Sequence, residues 1–278
     1  MNVSDFVKGA IDEDLGRGDL FARCVSQNLA DKIVSAKIIA KQSGIFSGEV
    51  YLVALYKRFG INAEFAKRDS EAFAKGEVLI NLRGKYIDIL QSERVGLNIL
   101  AHSSGIATNT RRFVDAVRES GANLKVLDTR KTRPFLRDFE KYSVRNGGGI
   151  NHRFGLDDCL MLKDTNLAHI ADLSAFIKNA RAQIPWSAKI EVECESIVSA
   201  ENAMSAGADI IMCDNMDAQS IKKVAQIRAE KFPHILLEAS GNISLDNIAQ
   251  YAKIGIDAVS VGALIHQAKW IDLSLKMQ

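Results

Sequence analysis

The sequence predicts an α/β protein whose second half is a parallel sheet covered by helices and curled into a barrel or partial barrel. Three observations carry this. After Gly121 the chain repeats short apolar runs: Leu124–Leu127, Cys159–Leu162, Ile190–Cys194, Ile210–Cys213, Ile235–Glu238 and Ala258–Val261. Their starts lie roughly 20 to 35 residues apart, the spacing of βα units. Helical stretches separate them, and strands covered on both faces by crossover helices read as continuous apolar runs. Right-handed crossovers bend such a sheet toward a barrel.

The first hundred residues mix helix and strand. Phe6, Val7, Ala10 and Ile11 recur at helical spacing, and Gly16-Arg17-Gly18-Asp19 breaks that pattern. Ile33 to Lys41 reads as a strand. Val50 to Phe59 reads as a helix closed by Gly60, and Val78 to Leu82 as a strand closed by Gly84. One amphipathic helix is expected over Ile87 to His102, and a second from about Thr108 to Ser120, stopped by Gly121.

Composition narrows the class. A chain of 278 residues fits one large barrel or two unequal domains. Hydrophobic residues at 47% and charged residues at 25% are the balance of an ordinary globular protein. With 3 prolines and no low-complexity tract, long disordered linkers are not expected. A net charge of +2 is too small for a globally basic nucleic-acid binder, so any positive function is local. No apolar run approaches the roughly 20 residues that span a bilayer, so no membrane partner is expected. Met1 to Asp14 carries acidic residues where a signal peptide needs a basic start, which reads as a cytoplasmic protein. Cys24, Cys159, Cys194 and Cys213 form no CxxC pair and read as structural thiols.

The informative residues stand at the strand ends. The first run ends in Asp128-Thr129-Arg130-Lys131 and the second in Lys163-Asp164. The third carries Glu191 and Glu193, and the fourth ends in Asp214-Asn215. The fifth ends in Glu238-Ala239-Ser240-Gly241 and the sixth in Ser260 and Gly262. Helix caps account for an Asp or a Ser, but not for Arg-Lys, Lys and paired Glu. Barrel active sites gather at the C-terminal ends of the strands, so these residues point to one convergent polar site.

The residue types suit anions. Arginine forks pair bidentately with carboxylates and phosphates, and lysine adds a point charge. Arg130, Lys131 and Arg153 read as ligand contacts. Arg137, Lys141 and Arg145, at helical spacing, equally suit a solvated face. Gly147-Gly148-Gly149 would let backbone N–H groups approach an anion. Glu193 and Asp214 suit Mg²⁺ shared with phosphate oxygens better than general acid–base work or salt bridges. Glu238 to Ile243 and Ser260 to Gly262 read as phosphate cradles at strand-to-helix turns. His152, inside the basic cluster, is as much a carboxylate contact as a structural histidine. No zinc spacing, Walker loop or G-x-S-x-G elbow is present. From the residues alone, this is a barrel-like site for a multiply anionic substrate.

The same segments carry a family resemblance. Glu13-Asp14-Leu15-Gly16-Arg17-Gly18-Asp19, Glu93-Arg94, Ser104-Gly105-Ile106-Ala107-Thr108, Asp128-Thr129-Arg130-Lys131-Thr132 and Gly147-Gly148-Gly149-Ile150-Asn151-His152-Arg153 occur in order. Glu191-Val192-Glu193, Asp214-Asn215-Met216, Glu238-Ala239-Ser240-Gly241 and Ser260-Val261-Gly262-Ala263-Leu264 come after them. Together they cover nearly the whole chain and resemble the quinolinate phosphoribosyltransferases, the carboxylating nicotinate-nucleotide pyrophosphorylases. The resemblance implies an open α/β barrel over 105–266 and an N-terminal α/β sandwich domain over 1–104, completed by 267–278. It implies a pentosyltransferase of NAD biosynthesis that uses quinolinate, phosphoribosyl pyrophosphate and Mg²⁺. It also implies a homodimer with shared sites and leaves a hexamer open.

Carried over by position, Arg130, His152, Arg153 and Lys163 would hold the quinolinate carboxylates, with Thr129 beside them. Arg94 would reach into the neighbouring subunit's site. Lys131, Glu193 and Asp214 would be the catalytic set that meets the phosphoribosyl pyrophosphate, the two carboxylates also meeting its Mg²⁺. Ser240, Gly241, Asn242, Ser260, Val261 and Gly262 would hold the 5-phosphate. The chain departs from the family pattern at several positions. Arg133 and Phe135 stand for a small residue and glycine, Thr165-Asn166 for Asn-His, and Asn242 for a common glycine, while Ile265 and Gln267 flank His266. The competing readings are a paralogous phosphoribosyltransferase on another substrate and a non-catalytic anion-binding protein. A nucleic-acid binder is disfavoured because the basic cluster lacks interleaved aromatics.

Overall fold

In chain order the strands are β1 (Ile33–Ala40), β2 (Gly44–Ile45), β3 (Asn62–Phe65), β4 (Ala72–Phe73), β5 (Val78–Lys85), β6 (Lys125–Leu127), β7 (Leu160–Leu162), β8 (Ile190–Cys194), β9 (Ile210–Asp214), β10 (Leu236–Ser240), β11 (Ala258–Ser260) and β12 (Leu273–Met277). They belong to a computed structural model that describes residues 2–278; Met1, the head of the expected N-terminal domain, lies outside the described residues. The chain divides into two compact units. The first holds the residues up to Arg111, Pro134–Gly148 and Gln267–Gln278; the second holds Arg112–Arg133 and Gly149–His266.

The first unit is built on an antiparallel sheet of order β12-β1-β5-β3, with β2 and β4 forming a separate two-stranded ladder. On β1, Ala36, Ile38 and Ala40 are buried and alternate with less buried neighbours, the period of a sheet with one face on a core. Ile38 faces Ile80 on β5 and Leu275 on β12, so the C-terminal tail adds an edge strand here. Residues 134–148 group with this unit rather than with the barrel sequence. Helix Arg137–Asn146 supplies Phe139, which stacks on Phe6 at 5.0 Å and meets Tyr51 edge-on at 4.8 Å.

The two helices expected over Ile87–His102 and Thr108–Ser120 are one helix, Tyr86–Glu119. The Ser103-Ser104-Gly105 run between the two expected helices is kept helical by packing. Ser103 Oγ lies 2.7 Å from the Oγ atoms of both Ser47 and Ser143, so its hydroxyl is satisfied although fully buried. A Cβ on Gly105 would sit 2.3 Å from the carbonyl oxygen of Lys269. That glycine serves a close backbone approach, and tertiary contact overrides its weak helix propensity. The sequence boundary at 104 therefore falls inside a continuous helix.

The second unit is a six-stranded parallel sheet of order β6-β11-β10-β9-β8-β7. Among the described residues β6 and β7, neighbours in sequence, share no ladder, which leaves the barrel open between them. The register sorts the side chains. Glu193 and Glu238 both face Met212, Met161 faces Glu191, Asp214 faces Ser240, and Ser260 faces Leu127. In-register neighbours point the same way and residues alternate along a strand, so these polar residues share one face. Leu162, Val192, Ile211, Leu237 and Val259 occupy the other face and are almost fully buried. The apolar face holds the fold together, while the polar one builds the site.

Candidate active site

The polar face opens into a cavity of about 430 Å³ at the C-terminal ends of the strands. Thr129, Arg130, Lys131, His152, Arg153, Lys163, Glu193, Asp214, Ser240, Gly241, Asn242 and Ser260 line it, so twelve of the expected residues converge. Three do not line it. Val261 is a core residue whose N–H donates to the Leu127 carbonyl at 2.9 Å. Gly262 leaves room for a cation: its Cβ would meet Lys131 Cδ at 2.9 Å. Arg94 is exposed on the long helix of the first unit. Met161, Met212 and Asn215 also line the cavity, and the sequence reading names none of them as a ligand. The signal for the methionines is register, since each alternates with an outward-facing apolar residue.

Each wall is set by local chemistry. Thr129 Oγ1 accepts the N–H of Lys131 at 3.0 Å, which shapes the turn after β6. Arg153 donates from its guanidinium to the Cys159 carbonyl at 3.0 Å and to Met161 Sδ at 3.4 Å. The Lys163 ammonium is paired with the Glu193 carboxylate. The departure at Asn166 supports that lysine: Asn166 Oδ1 accepts the Lys163 N–H at 3.0 Å and caps the short helix Asp164–Leu167.

The turn after β10 is the most constrained. Gly241 has φ +92°, Asn215 and Asn242 both have φ +52°. Asn is among the few residues besides Gly that visit this region readily, so Asn242 preserves a glycine-like backbone. Asn215 donates its N–H to the Ser240 carbonyl at 2.9 Å and its side-chain NH₂ to Asp214 at 2.7 Å. Asn247 donates to the Asn242 carbonyl at 2.9 Å. The next helix begins only at Ile248, so this cradle is a strained loop rather than the helix N-terminus expected.

Beneath the cavity lies a buried cluster. His152 Nε2 is 3.4 Å from Glu191 Oε2 and 3.3 Å from Glu238 Oε2, and both carboxylates are inaccessible or nearly so. Burial disfavours a charged ring, but the hydrogen bonds and charges of the two glutamates outweigh it and raise His152 to about 10. Burial likewise raises Glu191, with the His152 ring acting against it. The Arg153 N–H donates to His152 Nδ1 at 2.7 Å, which opposes the doubly protonated ring that the glutamates favour and places the ring proton on Nε2.

Other expectations resolve elsewhere. Gly147 is needed for packing: a Cβ there would meet the Ala107 carbonyl and Thr110 at 2.5 Å. Arg137, Lys141 and Arg145 belong to the first unit and do not line the cavity. Lys141 is fully buried, so the solvated-face reading fails for it. Phe135, where the family commonly has glycine, is 84% exposed at φ +63°, a backbone that a bulky side chain adopts under strain. Cys194 and Cys213 are buried, with burial pushing both thiols up to about 12, whereas Cys24 is exposed.

Comparison with known proteins gives one answer. The model of the quinolinate phosphoribosyl transferase C-terminal domain matches residues 106–276, and that of the N-terminal domain matches residues 19–104. The chain is 34% identical over 278 residues to the nicotinate-nucleotide pyrophosphorylase [carboxylating] of Mycobacterium leprae, covering 98% of this chain and 96% of that one. It is 35% identical over 291 residues to the protein of the same name from Dictyostelium discoideum, covering 99% and 96%. The crystal structure of NadC from Streptococcus pyogenes is similar with a TM-score of 0.92 and 36% identity over 99% of this chain and 96% of that one. The nicotinate-nucleotide pyrophosphorylase of Ehrlichia chaffeensis gives 0.91 and 31%, covering 100% and 99%. With its two halves matched in order and its relatives covered end to end, the chain belongs to the quinolinate phosphoribosyl transferase family.

Proposed function

We propose that this chain transfers the phosphoribosyl group of phosphoribosyl pyrophosphate to quinolinate in the cavity of the second unit, releasing pyrophosphate and CO2 and forming nicotinate mononucleotide. The observation that carries the reading is convergence. Arg130, Lys131, Arg153 and Lys163 meet Glu193, Asp214 and the Ser240-Gly241-Asn242 turn around one cavity. Two substrates that bring two adjacent carboxylates, a pyrophosphate and a phosphate need such a set of fixed cations and backbone donors.

In this reading Arg130, Arg153 and Lys163 hold the two carboxylates of quinolinate, Lys163 exchanging its pairing with Glu193 for the substrate. Lys131 faces the pyrophosphate, and the turn at 240–242 with Ser260 holds the 5-phosphate. The ribose carbon becomes oxocarbenium-like as its bond to pyrophosphate breaks, and the ring nitrogen attacks it. The resulting pyridinium accepts the electron pair left when the bond to the carboxylate at position 2 breaks; CO2 departs and the ring carbon takes a proton. No protein nucleophile is required. Glu193 and Asp214 are hard oxygen donors on adjacent strands beside the phosphate sites, a set that fits Mg²⁺. Bound there, Mg²⁺ would supply charge stabilisation to the departing pyrophosphate.

The reading includes a homodimer in which Arg94 serves the partner's cavity, and a cytoplasmic location. Among the described residues, no helix is long and apolar enough to cross a membrane.

The deciding assay measures CO2 release from quinolinate with phosphoribosyl pyrophosphate and Mg²⁺. Quinolinate should be used at least about 100-fold better than nicotinate, which lacks the second carboxylate and would leave part of the site's cation set unpaired. Comparable kcat/KM values for the two would refute the dicarboxylate assignment. For the metal, Glu193→Gln and Asp214→Asn should each shift the Mg²⁺ dependence of the rate while changing quinolinate Kd less than about threefold. An unchanged Mg²⁺ titration in both variants would assign these carboxylates to another task.

A further inference from the structure

Glu191 and Glu238 have no part in the substrate contacts proposed above. They stand on the inner face of β8 and β10, below the cavity, and neither lines it. Glu191 is fully buried and Glu238 is 3% exposed. The Oε1 atom of each has no hydrogen-bond partner, while both Oε2 atoms converge on His152 Nε2. Apolar side chains of similar volume would fill that layer without the desolvation cost of two carboxylates, so packing does not account for them.

His152 shows what they address. Its main-chain N–H donates to buried Asp128 at 2.9 Å, its Nδ1 accepts the Arg153 N–H, and its Nε2 faces the two glutamates. Both ring nitrogens are thus engaged within the protein, although the residue lines the cavity. This differs from the direct carboxylate contact that the resemblance implies for His152. The three ligand atoms lie within 4.8 Å of one another, which is also the outline of a metal site. A metal-bound Nε2, however, needs its proton on Nδ1, where it normally donates. Here Nδ1 is an acceptor, so the proton sits on Nε2.

We infer that Glu191 and Glu238 are positioning residues: they clasp the Nε2–H of His152 from inside the barrel and so fix the ring and, through its Nδ1, the backbone that carries Arg153. The inference rests on the assignment of Arg153 to quinolinate. The phosphoribosyl pyrophosphate side depends on Lys131, Asp214 and the 240–242 turn, whose shaping hydrogen bonds to Thr129, Asn215 and Asn247 lie outside the clasp. Loss of the clasp therefore weakens one ligand and spares the other.

The test is calorimetric, with each ligand titrated alone. Glu191→Gln and Glu238→Gln should each raise the Kd for quinolinate about tenfold and leave that for phosphoribosyl pyrophosphate within about twofold. In a His152→Leu background the same changes should add nothing, because they act through the missing ring. Wild-type protein that fails to bind quinolinate would sink the reading of the cavity. Wild-type binding with glutamine variants that bind quinolinate equally well, or lose both ligands alike, would overturn the clasp itself. Should the variants fail to fold, ¹⁵N-histidine NMR of the wild-type protein decides: His152 Nε2 should be protonated at neutral pH and unmoved by Zn²⁺. An unprotonated Nε2, or one that shifts on adding Zn²⁺, would overturn the inference in favour of a metal site.

Discussion

Arg94→Ala and Lys163→Ala should each be nearly inactive alone, and a subunit-exchanged mixture of the two should regain about a quarter of the wild-type activity. Each change removes a cation proposed to face a buried carboxylate, a loss of at least about 100-fold in kcat/KM. The two sit very differently. Lys163 lines the cavity of the second unit, whereas Arg94 is exposed on the long helix of the first and lines no part of it. If Arg94 acts on the partner's cavity, a mixed dimer has one site with both lesions and one with neither. Random exchange makes about half the dimers mixed, so about a quarter of all sites are intact. If Arg94 acts within its own subunit, every site keeps a lesion. Activity assayed after exchange has been verified by mass spectrometry separates the two. No recovery would end the shared-site proposal.

Gly241→Ala should raise the KM for phosphoribosyl pyrophosphate by roughly 100-fold or more, with a smaller effect on quinolinate binding. The residue lies at φ +92°, where a side chain is strained in any case. Its Cβ would also meet Asn215 Oδ1 at 2.2 Å and Asn215 N at 2.9 Å. Asn215 cannot yield freely, because its N–H is bonded to the Ser240 carbonyl and its amide to Asp214. The substitution therefore displaces the proposed phosphate turn and the carboxylate beside it together. Asn242→Gly is the contrast: at φ +52° glycine is at ease, and only a 3.3 Å hydrogen bond to Asn215 is lost. That variant should stay within about twofold of wild type. Steady-state kinetics on both decide the matter. An unchanged KM in Gly241→Ala would remove the turn from the phosphate site.

Legibility in the sequence tracks the range of the interactions. The six parallel strands are readable because each carries a short, mainly apolar run bounded by polar and helical stretches, a local pattern. The strand-end polar residues are readable for the same reason: Arg130, Lys131, Lys163, Glu193, Asp214 and Ser240 come within or shortly after short apolar runs and have no business in a core. The continuity of helix Tyr86–Glu119 is not readable, since the Lys269 carbonyl that requires Gly105 lies more than 150 residues along the chain. Gly147 resembles an anion cradle for the same cause, its neighbours Ala107 and Thr110 being far away in sequence.

By itself, then, the sequence determined the alternation of strand and helix, the order of the motifs and the chemistry of the strand ends, because propensity, patterning and charge act within a few residues of where they are written. Only the tertiary structure decided that 134–148 packs with the first unit, that Asn242 adopts a glycine's backbone, and that Glu191 and Glu238 close on His152. Those outcomes depend on sheet register and on contacts between distant segments. Two glutamates 47 positions apart become neighbours only when β8, β9 and β10 pair in the register that points both inward.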